Sequence, residues 1–111
     1  MKHAADPSHP RYRSLLMRHR LEVAAKKGML ADSAMIAHGR GEAYDYLLGE
    51  RTIPSAHFAS QIALQSLQQA EHPVLSVNGN VVALAGDEGL QLAEKLNCPV
   101  EVNIFYRTPE R

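Results

Sequence analysis

Tryptophan is absent from this 111-residue chain, aromatic residues make up only 5 % of it, and it has a single cysteine, Cys98. One cysteine cannot close an internal bridge, so a disulfide-stapled secreted scaffold is excluded and a reducing compartment is expected. No apolar run approaches the roughly 20 residues that a membrane-spanning helix needs. The start, Met1-Lys2-His3-Ala4-Ala5-Asp6-Pro7, has no apolar core of a signal peptide. A soluble, cytoplasmic protein is the expectation. Six histidines are present, but no pair has zinc-site spacing and only one cysteine could join them, so no structural metal is expected. Repeats and low-complexity tracts are also lacking. What is present is an ordinary globular composition, 45 % hydrophobic, long enough for one domain at most.

Net charge is zero, yet it is unevenly laid out. Residues 1–27 hold seven basic side chains against two acidic ones, a balance of +5, and the rest of the chain carries −5. A basic N-terminal helix can face an anionic ligand, nucleic acid or the acidic remainder of its own fold. Scarce aromatics and the lack of a long basic patch count against nucleic acid.

The spacing predicts a first helix over about 10–27. Pro10 suits a first turn, Tyr12, Leu15, Leu16, His19 and Val23 form one stripe, and Lys26-Lys27-Gly28 is a stop signal. Residues 29–37 read as a connection or a short helix, followed by a turn at His38-Gly39-Arg40-Gly41 and a helix from Glu42 that Gly49 ends. Pro54 opens another helix whose face of small residues suits close packing on a second subunit. Val74-Leu75-Ser76-Val77 is β-prone. Asn78-Gly79 after it fits either a hairpin returning through Val81–Leu84 or a turn into a helix near Asn80, and pattern alone weighs these equally. Asp87 is a fit N-cap for a helix over Glu88–Leu96. Val100 to Phe105 forms the next strand, and a strand, a helical crossover and a strand make a right-handed parallel unit. Thr108-Pro109-Glu110-Arg111 reads as the start of one more helix. The fold class expected is α/β, with N-terminal helices (about 10–72) and then one βαβ unit (about 73–107) opening a Rossmann-like parallel sheet. Two parallel strands cannot make a sheet with both faces covered, so the chain reads as the front part of a larger α/β domain, or as one that a partner completes.

The chemistry gathers around Gly39-Arg40-Gly41. Glycines allow close backbone approach to a ligand, and arginine offers a permanently charged fork for phosphate. A helix beginning near Glu42 would add free backbone N–H groups there. The competing reading is a plain turn with a solvated arginine.

Four ordered stretches carry a family resemblance: Ser8-His9-Pro10-Arg11-Tyr12 through Arg18; Ile36-Ala37-His38-Gly39-Arg40-Gly41-Glu42 on to Thr52; His72-Pro73-Val74-Leu75-Ser76-Val77-Asn78-Gly79-Asn80-Val81; and Val102 to Thr108. The chain resembles archaeal-type phosphopantothenate synthetase, or 4-phosphopantoate–β-alanine ligase, and matches its N-terminal portion. The resemblance implies an ATP-dependent ligase of coenzyme A biosynthesis that joins 4-phosphopantoate to β-alanine and releases AMP and diphosphate. It also implies a Rossmann-like homodimer, and it decides for a strand-to-helix turn at Asn78-Gly79-Asn80. The family's ATP-contacting arginines fall on Arg18 and Arg40. Its acidic Asp-Gly-Asp-Arg-Thr stretch has no counterpart among these residues.

By that resemblance, Arg18 and Arg40 bind ATP. By their own chemistry, Gly39, Gly41, Ser76, Asn78, Gly79 and Asn80 form a phosphate or substrate cradle, and His38 is either a base or a histidine that orients the turn. Magnesium should accompany ATP, although no ligand set for it is visible. The alternative function is a non-catalytic nucleotide- or phosphate-binding or dimerisation module.

Overall fold

Leu21 is the only large side chain fully removed from solvent among the described residues, and the core is built round it. The structure, a computed structural model, describes residues 5–104 and Pro109. The order is α1 (Tyr12–Lys26), α2 (Ser33–Leu47), α3 (Pro54–Gln69), β1 (Leu75–Val77), α4 (Gly79–Leu96) and β2 (Val100–Val102). Among the described residues, four helices and a two-stranded parallel sheet give an α/β arrangement, as expected.

A short turn precedes α1, in which the Ser8 backbone N–H and hydroxyl both donate to Asp6 Oδ1 at 2.9 Å. Those two bonds favour the charged form and hold the Asp6 carboxyl below its ordinary value. Gly28 then ends α1 at φ 76°, a conformation in which a side chain would be strained. The stripe expected to face the core, Tyr12 to Val23, is only partly covered: Leu15 and Leu16 are exposed, and the buried positions are Leu21 and Ala24. α4 and Leu30 cover that neighbouring arc, so packing partners rather than periodicity choose the face.

The second helix corrects the expected turn. α2 starts at Ser33 and runs without a break through Gly39, Arg40 and Gly41, neither glycine having positive φ. Two helical glycines cost about 2 kcal/mol relative to alanine, which the surrounding Ala, Met and Glu positions and the seam with α1 offset. No helix begins near Glu42, so no free backbone N–H groups gather there. Gly49, at φ 91°, ends α2 as expected.

Pro54 occupies the first turn of α3, whose N-cap Ile53 is extended. Beyond marginal contact, α3 packs on no other described helix or strand. β1 and β2 pair in parallel, with Leu75 opposite Val100 and Val77 opposite Val102. Asn78 caps α4, its Oδ1 accepting from the Val81 N–H at 3.0 Å. The strand-to-helix reading therefore holds and the hairpin does not. α4 is two helical segments joined by a kink at Ala85 (φ −144°, ψ 30°), so a helical segment does start close to the expected place, but just before Asp87, which is therefore not its N-cap. Asn97, left-handed at φ 52°, ends α4. The second strand stops at Val102, where Asn103 N–H still donates to the Val77 carbonyl at 2.7 Å. The strand end expected at Phe105 and the helix start expected at 108–111 fall outside the described residues, Pro109 excepted. No described helix is long and apolar enough to cross a membrane.

Candidate functional site

The parallel pairing puts the residues after β1 and after β2 side by side. Asn78, Gly79 and Asn80 follow one strand, Asn103 and Ile104 follow the other, and together they line a cleft of about 480 Å³. Ser33, Ala34 and Ala37 of α2 and the Met29–Ala31 loop close its other side. A crevice outside the carboxyl ends of parallel strands is where ligands bind in open α/β sheets, and its size suits a small molecule. The lining is apolar with amide groups and one hydroxyl. Its polar groups come mainly from the start of α4, where Asn78, Gly79 and Asn80 lie. Asn80 Nδ2 donates to the Ala34 carbonyl at 3.1 Å, while its Oδ1 is buried and has no partner among the described residues.

Gly79 has a packing reason of its own. A Cβ there would come within 2.7 Å of Leu30 Cδ2 and 3.1 Å of the Met29 carbonyl oxygen. The glycine lets the 29–31 loop lie against the start of α4, and so sets the width of the cleft.

One turn along α2 lies a polar cluster. Arg18 of α1 donates through Nη1 to the Met35 carbonyl at 2.7 Å, and the same nitrogen lies 3.3 Å from His38 Nδ1. Consecutive α2 carbonyls, those of Ala34 and Met35, thus take side chains from α4 and α1 and pin α2 between them. His38 Nδ1 also lies 3.1 Å from Glu42 Oε1. Glu42 Oε2 is 4.0 Å from Arg11 Nη2, and Arg11 itself is hydrogen-bonded to Glu50 and stacked over Tyr46 at 5.3 Å. A hollow open to solvent flanks Arg11, Glu42 and Tyr46.

The expected site residues therefore divide into groups. Arg18 and His38 are brought together. Asn78, Gly79 and Asn80 share the cleft. Ser76 is not among the cleft residues, and its hydroxyl donates to its cross-strand neighbour Glu101 at 3.4 Å. Arg40 is exposed and, among the described residues, no hydrogen bond or ion pair engages it. Two residues along a helix is about 200° of rotation, so Arg40 leaves α2 on another side from His38. Gly39 and Gly41 are exposed too, and a Cβ on either would meet nothing within 4 Å. Among the described residues, no group of three or more His, Cys, Asp or Glu side chains is placed to hold a metal ion.

Sequence reasoning missed Glu42 and Asn103. Asn103 had a signal: each strand ends in valine followed by asparagine, Val77-Asn78 and Val102-Asn103, and these ends pair. Glu42 had one as well, since it stands four residues after His38 on a helix and such pairs meet. The expected turn at Gly39 hid it.

The profile of the phosphopantothenate/pantothenate synthetase family matches residues 55–111. A 4-phosphopantoate--beta-alanine ligase of Thermococcus kodakarensis is 55 % identical over 94 % of this chain and 40 % of its own length. Ligases of the same name from Thermococcus onnurineus and Methanospirillum hungatei are 54 % and 53 % identical, each over 94 % of this chain and over 40 % and 43 % of their own lengths. The chain thus spans about 40 % of the length of the curated relatives it matches. It belongs to the phosphopantothenate/pantothenate synthetase family.

Proposed function

We propose that this chain supplies the N-terminal part of an ATP-dependent ligase site that joins 4-phosphopantoate to β-alanine in coenzyme A biosynthesis. AMP and diphosphate leave, and 4-phosphopantothenate is the product. The supporting observation is the cleft at the carboxyl ends of β1 and β2, in a chain 55 % identical to a protein named for that ligation. In this reading the substrate carboxylate attacks the α-phosphate of ATP, and the amine then displaces AMP from the acyl-adenylate. Arg18 and Arg40 meet phosphate charge as permanent cations. Asn78, Asn80 and the α4 N-terminus hold the body of the acid substrate in the cleft, beside the Arg18–His38 cluster. Magnesium would travel with the nucleotide, and no step here is routed through it.

The second subunit of a homodimer belongs to the same proposal. α3 leaves Phe58 63 % and Ile62 47 % exposed and has no substantial partner among the described helices and strands. A second copy covering that face accounts for it.

The test mixes the protein with ATP, magnesium, 4-phosphopantoate and β-alanine and follows AMP, alongside calorimetric titration of each ligand. AMP formed only with both acid and amine present supports the ligase. Binding without AMP reassigns the chain as a binding module, and neither binding nor AMP overturns the assignment. Sedimentation showing a monomer at high concentration would count against the dimer.

A further inference from the structure

We propose that Glu42 is a positioning residue that fixes the tautomer of His38, holding the proton on Nδ1 and leaving Nε2 as the lone-pair nitrogen. The argument is one of competing partners. Nδ1 faces Glu42 Oε1 at 3.1 Å and Arg18 Nη1 at 3.3 Å. A carboxylate only accepts and a guanidinium only donates, so Nδ1 can satisfy one of them. Bearing a proton, it donates to Glu42. Bare, it accepts from Arg18 and turns its lone pair toward a carboxylate oxygen 3.1 Å away.

Geometry and charge favour the first arrangement. The Glu42 contact is the shorter of the two, and it is charge-assisted. His38 is only 10 % exposed at its side chain, so little water is available to relieve a repulsive contact. Arg18 Nη1 loses little, because its shorter bond runs to the Met35 carbonyl at 2.7 Å. Arg11 Nη2, 4.0 Å from the other oxygen of Glu42, steadies the carboxylate from behind.

A histidine anchored in this way by an acid through one nitrogen presents the other as a proton acceptor. Resting on the ligase reading, the acceptor has a defined task. An amine substrate arrives as an ammonium, and one N–H bond breaks as Nε2 takes that proton. The electron pair stays on nitrogen as the free amine, and Glu42 balances the imidazolium charge. The free amine is then the nucleophile that displaces AMP.

The test is nitrogen-15 NMR of the histidine rings in the 111-residue chain, with no nucleotide or substrate added and at a pH where His38 is neutral. His38→Gln identifies the signals among the six histidines. The expected result is a protonated-type shift on Nδ1 and a bare, pyridine-type shift on Nε2. In Glu42→Leu, which removes the acceptor facing Nδ1, Arg18 can donate to a bare Nδ1, and the Nε2–H form is expected to become the major one. A wild-type ring protonated on Nε2, or a tautomer that Glu42→Leu leaves unchanged, overturns the proposal. Because no substrate is present, this outcome is independent of whether AMP forms in the ligase assay.

Discussion

The seam between α1 and α2 has two unlike ends. Toward the end of α1 it is apolar: Leu21 and Ala24 are buried with Leu30, and Ala34 and Met35 pack against them. Toward the start of α1 it is polar: Arg11, Arg18, His38, Glu42 and Glu50 meet there, all partly open to water. The apolar end brings the helices together, because removing hydrocarbon from water is worth roughly 1.5–3 kcal/mol per large side chain. The polar end contributes far less to stability, since half-exposed ion pairs are worth about 0–1 kcal/mol. It holds instead the groups that can bind anions and move protons. One seam thus separates stability from chemistry along its length.

The largest expected effect tests the apolar end. Leu21→Ala removes the one fully buried large side chain among the described residues and leaves a cavity against Leu30 and Ala24. A loss of about 2–5 kcal/mol is expected, read as a lower urea midpoint at constant slope. A loss of less than about 1 kcal/mol would break the comparison, because Leu21 would then weigh no more than a surface ion pair.

This end was only partly legible in the sequence. Apolar spacing correctly announced the existence of α1, but it chose the arc of Leu15 and Leu16 over that of Leu21, since periodicity cannot say which arc α4 will cover. The strand-to-helix turn at Asn78-Gly79 was open on pattern alone, and the family resemblance decided it correctly. Gly39-Arg40-Gly41 misled, because glycine lowers helix propensity by only about 1 kcal/mol and tertiary packing overrides that. Losing α2 there also hid the pairing of His38 with Glu42, which depends on both lying on one helix. Within the candidate site, Arg18 and His38 do come together, Ser76 bonds its cross-strand neighbour Glu101 rather than lining the cleft with Asn78 and Asn80, and Arg40 leaves α2 on another side from His38.

The next three effects compare the start of α4, where it meets the 29–31 loop, with the open face of α2. Gly79→Ala drives a methyl to 2.7 Å from Leu30 Cδ2, with the Met29 carbonyl at 3.1 Å and unable to yield without moving the backbone. A loss of about 1–3 kcal/mol is expected. The same change at Gly39, where a Cβ meets nothing within 4 Å, should raise stability by about 0.5–1 kcal/mol. Opposite signs from one substitution in thermal melts would sharpen the division, and a gain at Gly79 would undo it. Asn78→Ala then removes the cap on the Val81 N–H and should cost about 1 kcal/mol by the same measurement. A neutral result would mean that water replaces the cap at the mouth of the cleft.

The smallest effect tests the polar end directly. Arg11 is bonded to Glu50, lies 4.0 Å from Glu42 and stacks on Tyr46, but its side chain is 35 % exposed and that of Glu50 41 %. Each contact therefore works in high dielectric, and holding a long side chain in place costs rotamer freedom. Arg11→Gln should lower stability by no more than about 1 kcal/mol at low salt. The difference from wild type should shrink further near 1 M salt, where the screening length falls to about 3 Å. Leu21→Ala should show no such salt dependence, since its loss is one of packing. Denaturant midpoints of both variants at low and high salt make the check. If Arg11→Gln cost several kcal/mol and kept that cost at high salt, the polar end would be a structural clamp, and the separation of stability from chemistry along the seam would fail.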